Sequence, residues 1–244
     1  MISGSLVSTI VTIGNVMSFV FFFSPAPTFY KIIKKKDVEE FKPDFYLVTL
    51  LACAIWVFYG MPFVQPNGIY FVIIDGVGFI FQFVYLTIFY VYANNKGRKK
   101  LLLYLLIEAI FFAAIVLITM LALHDTKRSS VVGILGVLSA IFNAMSYVSA
   151  LTIMPKVIKT KSVKYMPLCL SLAIFLDGSV WTIYYLMSPI DLIHPFGFYV
   201  MISTGIGAIS GLVQLILYAY YWYIGENNVD DDAHHVLNPV VVVV

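Results

Sequence analysis

Seven long apolar stretches constrain the fold of this chain more than any other feature. Each approaches the roughly 20 residues that a helix needs to cross a bilayer. They lie at about 6–29, 44–63, 69–93, 101–123, 131–154, 167–187 and 197–223. The stretches are continuously apolar rather than alternating in polarity, so they do not fit the strands of a membrane barrel. With 61% hydrophobic and 11% charged residues, the chain is predicted to be an all-α membrane protein with seven transmembrane helices.

Basic residues concentrate in the loops after the first, third and fifth stretches. The segments 31–42, 96–100 and 156–164 hold 13 of the 15 lysines and arginines, and Lys127 and Arg128 are the other two. The positive-inside rule therefore predicts an external N-terminus and a cytosolic C-terminus. Lysines at helix ends anchor helices to anionic headgroups, which argues against nucleic-acid binding. We expect a plasma-membrane protein, with the vacuolar membrane as the alternative.

The chain also contains an internal repeat. The segment KIIKKKDV at 31–38 recurs 125 residues later as KVIKTKSV at 156–163, and the same offset relates Trp56 to Trp181. Asp75 and the Gly-Val-Gly after it correspond to Thr204-Gly-Ile-Gly with an offset of 129. Several matches in the same order indicate a duplicated unit.

The duplication predicts how the helices are organised. Spans 1–3 resemble spans 5–7, and span 4 has no counterpart, so it links two parallel three-helix bundles in a 3+1+3 plan. Parallel repeats place the substrate path between the halves, near the bilayer midplane. The predicted units are a first bundle at 6–93, a linker helix at 101–123, a second bundle at 131–223 and a disordered cytosolic tail at 224–244.

Trp56 and Trp181 are the leading candidates for a binding site. Each lies several residues inside its span, and the repeat relates one to the other. Sugars present C–H faces that stack on aromatic rings, and a buried indole N–H can bond a hydroxyl group. Small-molecule sites combine such aromatic walls with a few polar groups. The alternative is a pair of ordinary tryptophans in the interfacial aromatic belt.

Two carboxylates are predicted to lie within the membrane. An ionised group there costs about 2.5–3.5 kcal/mol on insertion scales, so Asp75 and Asp177 should face a cavity or a partner. Asp177 precedes Trp181 by four residues and therefore shares its helix face. Two interpretations remain open: a structural hydrogen bond to a neighbouring helix, or a protonatable switch. Asn143 in span 5 is either a pocket residue or a polar contact between helices.

Prolines mark the candidate gates. Pro25 and Pro27 lie near the cytosolic end of span 1, where a missing backbone N–H creates a kink that can swing. Pro167 opens span 6 and is either part of the gate or an ordinary first-turn proline. Membrane helices also tolerate proline without any gating role.

Four motifs carry a resemblance to a known family. They are SPAPTF at 24–29, YGMP at 59–62, KTKSVKYMP at 159–167 and QLILY at 214–218. Over roughly 8–223 the chain resembles the plant-type SWEET sugar transporters. That resemblance implies facilitated, bidirectional movement of mono- or disaccharides, often by homo-oligomers, without a cofactor, metal or catalytic group.

The resemblance also implies a set of pocket residues. Family members hold sugar between a pair of tryptophans, with further pocket positions one turn before each of them. Polar residues of spans 3 and 7, usually asparagines, complete the pocket, and a bulkier span 5 residue suits hexoses over sucrose. The corresponding positions here are Trp56, Trp181, Ala52, Asp177, Asp75, Thr204 and Asn143.

The chain departs from the family at its hinge and in its pocket. Of the four hinge prolines, Pro25 and Pro167 match, whereas Phe45 and Ala150 replace the other two. Aspartate and threonine replace the usual pocket asparagines at Asp75 and Thr204. A transport-impaired member is therefore one alternative to a sugar uniporter.

Other functions weighed against the uniporter differ in class. The carboxylates Asp75 and Asp177 motivate a proton-coupled transporter of a polar or cationic solute. A seven-helix receptor would share the topology, but the 3+1+3 repeat and the short loops argue against it. No nucleophile–base or metal-ligand set appears at helical spacing, so we do not expect an enzyme.

Overall fold

A computed structural model describes residues 4–39, 41–66, 68–125, 128–163, 166–187 and 195–237. The described residues form nine α-helices and one short 3₁₀ helix at Ala150–Ile153. The α-helices are α1 Gly4–Phe23, α2 Ala26–Lys35, α3 Asp44–Gly60, α4 Ile69–Tyr92, α5 Asn95–Asp125, α6 Arg128–Ser149, α7 Met154–Thr160, α8 Leu168–Met187 and α9 Pro195–Leu237. The predicted all-α class is confirmed.

Each predicted span corresponds to a helical segment. Within the described residues, six segments are long and apolar enough to cross a membrane: Ser8–Lys35, Ile69–Tyr92, Asn95–Ala122, Ser130–Thr160, Leu168–Met187 and Gly197–Tyr223. The remaining one, α3, has 17 apolar-rich residues. At 1.5 Å per residue it is about 26 Å long, slightly short of a bilayer's hydrocarbon core.

The helices form two triplets with the same internal order. In the first, α4 packs against both α1 and α3; in the second, α9 packs against both α8 and α6. The triplets meet where α1 packs on α8 and α3 packs on α6, while α5 contacts α3 and α6 from outside. This is the predicted 3+1+3 arrangement.

The repeat extends to backbone conformation. Helices α2 and α7 end at Lys35 and Thr160, 125 residues apart. The next residues, Lys36 and Lys161, are both left-handed, with φ of 56° and 50°. Two non-glycine residues in this uncommon region at matching positions support a true structural duplication.

Prolines interrupt the helix of span 1, and nearby hydroxyl groups donate hydrogen bonds to the backbone carbonyls at the break. Pro25 has no N–H to donate to the Phe21 carbonyl, and the Ser24 hydroxyl donates to that oxygen instead, at 2.8 Å. The Tyr85 hydroxyl of α4 donates to the Phe22 carbonyl at 3.2 Å. Freed carbonyls in a membrane helix need such partners. The break between α1 and α2 is therefore held by α4 of the same bundle.

Span 5 is broken at the same repeat position without a proline there. Ala150, the counterpart of Pro25, begins the 3₁₀ turn between α6 and α7. The cause is Pro155, which cannot donate to the carbonyl four residues earlier. That carbonyl belongs to Leu151, which instead accepts the N–H of Met154 in a tighter turn. The hinge prediction at Ala150 thus falls on an irregular segment.

Glycines allow α8 and α9 to pack with their backbones in contact. A β-carbon on Gly178 would lie 2.4 Å from the backbone nitrogen of Ala208. A β-carbon on Gly211 would lie 2.4 Å from the backbone nitrogen of Phe175. Small residues permit this close approach between membrane helices.

The C-terminal helix is longer than the sequence indicated. Residues 224–244 were expected to form a disordered tail, but α9 is helical through Leu237. No proline interrupts the chain between 224 and 237. Residues 238–244 lie outside the described residues.

Candidate functional site

One cavity of about 300 Å³ lies between the two bundles. Its walls come from α1, α3 and α4 of the first triplet and from α6, α8 and α9 of the second. All seven residues predicted from the sequence to bind substrate line it: Ala52, Trp56, Asp75, Asn143, Asp177, Trp181 and Thr204. The structure therefore brings the candidate residues of both halves to one place.

The two tryptophans are held by aromatic neighbours and by α1. Trp56 is buried and stacks on Phe71 with ring centroids 5.2 Å apart. Trp181 contacts Tyr184 edge to face at 5.8 Å. Gly14 of α1 leaves room for the Trp181 ring, since a β-carbon there would lie 3.0 Å from it. Both indoles thus belong to the cavity wall rather than to a belt around the protein.

Asp177 accepts one hydrogen bond on each carboxylate oxygen. The Ser18 hydroxyl donates to Oδ1 and the Tyr147 hydroxyl to Oδ2, both at 2.7 Å. The indole N–H of Trp181 donates to the Ser18 oxygen at 2.9 Å. Because an indole N–H can only donate, the Ser18 proton is left to point at Asp177. This network joins α1 of the first bundle to α6 and α8 of the second.

Asp75 supplies a second carboxylate from the opposite bundle. It is half-buried in α4, and the Cys53 thiol of α3 is its side-chain neighbour. Asp75 and Asp177 lie close enough for their charges to interact. Among the described lining residues there is no lysine, arginine or histidine. The cavity therefore has two acidic groups without a basic counterpart.

The remaining polar candidates are tied to α9. The Asn143 amide donates to the Ser203 hydroxyl at 3.3 Å. The Thr182 hydroxyl of α8 lies 3.1 Å from that of Thr204, which is itself 3.1 Å from the Val200 carbonyl. These contacts fix the side chains that face the cavity from the second bundle.

An aromatic cluster closes the cavity on the side of the basic loops. Phe21 contacts Phe45 edge to face at 5.9 Å and Tyr147 at 5.8 Å. Ala150 belongs to the same buried cluster. Both residues that stand where the family has hinge prolines, Phe45 and Ala150, are thus part of this cluster. We call Phe21, Phe45, Tyr147 and Ala150 the aromatic seal.

The opposite side of the cavity extends toward the N-terminal end of α1. Its lining there includes Val11 near the start of α1, Tyr70 at the start of α4 and Val200 near the start of α9. Tyr185, near the end of the antiparallel α8, reaches the same level. The described lining therefore reaches the N-terminal end of α1 and, toward the basic loops, ends at the aromatic seal.

The predicted gate prolines lie at helix boundaries. Pro25 is fully buried between α1 and α2, and Pro27 lies in the first turn of α2. Pro167 directly precedes α8 and accepts the backbone N–H of Ser171 at 3.2 Å. All three lie on the side of the aromatic seal, and their predicted role as gates stays a prediction.

The sequence interpretation missed several residues that organise the site. Ser18 and Tyr147 hold Asp177, and Cys53 lies beside Asp75. A serine within an apolar span was a weak signal for Ser18, because polar groups in membrane helices usually face a partner. Tyr147 gave no signal, since an aromatic residue in a membrane helix is ordinary.

Comparisons with known proteins identify the family. A family model described as "Sugar efflux transporter for intercellular exchange" matches residues 8–97 and again 133–224. The bidirectional sugar transporter SWEET7b of Oryza sativa subsp. indica is 49% identical over 223 residues, covering 91% of this chain and 80% of that protein. The chain belongs to the SWEET family of sugar transporters.

Further comparisons extend the match to SWEET proteins of another plant and to a solved structure. The bidirectional sugar transporter SWEET5 of Arabidopsis thaliana is 46% identical over 220 residues, covering 90% of this chain and 88% of that one. A solved eukaryotic SWEET transporter, at 3.7 Å resolution, matches with a TM-score of 0.70 and 30% identity, over 89% of this chain and 97% of its own. The predicted family and its transporter rather than enzyme class are confirmed.

Proposed function

We propose that this SWEET protein is a facilitative, bidirectional sugar transporter that carries hexoses in preference to sucrose. The observation that supports this most directly is the cavity between the repeats, which has a repeat-related tryptophan from each half. A binding site at the interface of two repeats can be exposed to each side in turn by rocking one bundle against the other.

Binding in this proposal combines stacking and hydrogen bonding. The rings of Trp56 and Trp181 offer apolar faces to the C–H surface of a sugar. Asp75, Asp177 and Asn143 offer acceptors and donors to its hydroxyls. A cavity of about 300 Å³ is at the small end for ligand sites, which favours one sugar ring over two.

Transport would require the aromatic seal to open as the other side closes. The contacts that must change are those between bundles, α1 with α8 and α3 with α6. The irregular segments at Pro25 and Ala150 allow the cytosolic ends of spans 1 and 5 to change direction without unwinding the rest. A uniporter needs no ion site, because its substrate only lowers the barrier between the two states.

Flux of labelled glucose and sucrose into proteoliposomes tests this proposal. We expect downhill glucose entry, slower sucrose entry, and loss of both in Trp181→Ala. Trp222→Ala is the matched control, because Trp222 is an exposed tryptophan of α9 outside the cavity lining. Equal loss in both variants, or glucose flux that survives Trp181→Ala, would contradict the proposed site.

A proton-coupled mechanism is the second candidate. It is favoured by one observation, the pair of carboxylates in a cavity whose described lining has no basic group. Imposing a pH gradient on the same vesicles separates the two mechanisms. Sugar entry that ignores the gradient supports the uniporter, whereas entry that follows it and is lost in Asp75→Asn supports proton coupling.

A transport-impaired member is the third candidate, favoured by the seal residues Phe45 and Ala150. If wild-type flux is low, Phe45→Pro and Ala150→Pro, which restore the family's residues, should raise it. No gain in either variant would remove the hinge substitutions as the explanation.

We also propose a plasma-membrane location, an external N-terminus, a cytosolic C-terminus and a homo-oligomeric state. The 13 basic residues in the loops beside the seal support this orientation. Protease protection of N- and C-terminal tags in intact cells tests the orientation. Imaging of a tagged protein separates the plasma membrane from the vacuole, and cross-linking in membranes tests self-association.

A further inference from the structure

The cavity has two carboxyl groups that a neutral sugar does not require. Its two carboxyl groups come from opposite bundles, Asp75 from α4 and Asp177 from α8, and both line the cavity. All 15 lysines and arginines lie in segments between the spans or at their ends. The other titratable side chains of the described lining are one thiol and four phenols, which carry no charge in their protonated form. They are Cys53, Tyr70, Tyr147, Tyr184 and Tyr185. No positive side chain of the described lining balances the pair.

The two carboxylates are unequally satisfied. Each oxygen of Asp177 already accepts a hydroxyl, from Ser18 or Tyr147. Asp75 has the thiol of Cys53, which is a weak donor. Asp75 is also the more exposed of the two to the cavity. Its acceptor capacity is therefore available to whatever occupies the space between the tryptophans.

A cationic donor uses this site better than a hydroxyl does. An ammonium group adds to its hydrogen bond a Coulomb attraction to the carboxylate that a neutral hydroxyl lacks. An ammonium group between Asp75 and Asp177 would also offset the repulsion between two like charges. The tryptophan rings contribute in the same direction, because cations are attracted to indole faces.

We infer that the cavity takes hexoses bearing a protonated amine, such as 2-amino-2-deoxyglucose, in preference to the neutral hexose of equal size. Asp75 is the partner of the ammonium group, and the tryptophans hold the ring. This inference rests on the proposed sugar-transport function and adds to it a substrate class defined by charge.

The test compares uptake of labelled glucosamine and glucose at a pH at which the amine is protonated. The vesicles carry equal potassium on both sides and valinomycin, so that no membrane potential biases the charged solute. We expect glucosamine to enter with about tenfold higher uptake per unit concentration than glucose, which corresponds to about 1.4 kcal/mol of additional Coulomb attraction. An inside-negative potential should then raise glucosamine uptake further and leave glucose uptake unaffected.

Two variants assign the preference to Asp75. Asp75→Asn keeps the shape and removes the charge, and should reduce the glucosamine-to-glucose ratio at least fivefold. Glu108→Gln removes a carboxyl group of α5 that lies outside the described cavity lining, and should leave the ratio near the wild-type value. Glucose uptake without any preference for glucosamine, or a ratio indifferent to Asp75→Asn, would overturn the inference and leave sugar transport intact. Failure to move either sugar by folded protein would instead refute the proposed function.

Discussion

Replacing Ser18 with alanine should shift the transporter toward the state in which the aromatic seal is open. Ser18 makes two of the hydrogen bonds that cross between the bundles, one to Asp177 and one from Trp181. Side-chain hydrogen bonds between membrane helices contribute about 0.6–1.7 kcal/mol each. Losing both therefore destabilises the described state by about 1–3 kcal/mol, a factor of about 5 to 150 in the equilibrium between states.

The assay uses a native thiol that lines the cavity. The chain has two cysteines, and Cys169→Ser leaves Cys53 as the only one. In membranes, the rate at which an impermeant maleimide labels Cys53 from the side of the basic loops measures how often the seal is open. We expect Ser18→Ala to raise that rate and to lower the rate from the opposite side.

A matched serine distinguishes the inter-bundle role from a general effect. Ser139 is also buried, but its hydroxyl bonds the Leu135 carbonyl within its own helix, at 2.9 Å. Ser139→Ala should leave the ratio of labelling rates from the two sides unchanged. If Ser18→Ala also leaves that ratio unchanged, its hydrogen bonds persist in both states and the reasoning is refuted.

Three other substitutions test the packing described above. Gly178→Ala should lower the melting temperature by several degrees, since overpacking costs about 1–3 kcal/mol, whereas Gly133→Ala, which meets open space, should not. Tyr85→Phe removes the donor to the Phe22 carbonyl and should cost about 1 kcal/mol in denaturant unfolding; full stability would show that another group holds the break. Phe45→Ala removes a ring from the aromatic seal and should speed labelling of the cavity thiol from the basic side, and an unchanged rate would exclude Phe45 from the barrier.

Much of the architecture could be predicted because residues that match between two copies of a duplicated unit occupy equivalent positions in the two copies. A constant offset of 125 residues places Trp56 and Trp181 at matching positions of two bundles. The repeat, together with the family resemblance, predicted that Asp75 and Thr204 line the same pocket. The polarity of single residues inside apolar spans added Asp177 and Asn143.

The features that were not predicted depend on rotation of helices and on breaks outside the repeat. Which face of α1 presents Ser18, and which face of α6 presents Tyr147, is decided by packing between bundles and has no local signature. The 3₁₀ turn at Ala150 follows from Pro155, which lies outside the repeat register.

The unequal breaks of spans 1 and 5 have a kinetic consequence. At the break in span 1, the hydroxyls of Ser24 and Tyr85 donate to the backbone carbonyls. The break in span 5 is a 3₁₀ turn set by Pro155. The two halves therefore need not bend with equal ease. A carrier that only equilibrates its solute adds no free energy, so the ratio of maximal velocity to half-saturation concentration must be the same for influx and efflux. The mechanical asymmetry can therefore appear only as paired differences in both constants between the two faces of the membrane. Such a transporter would saturate at a lower sugar concentration on one face while remaining unable to accumulate sugar on either.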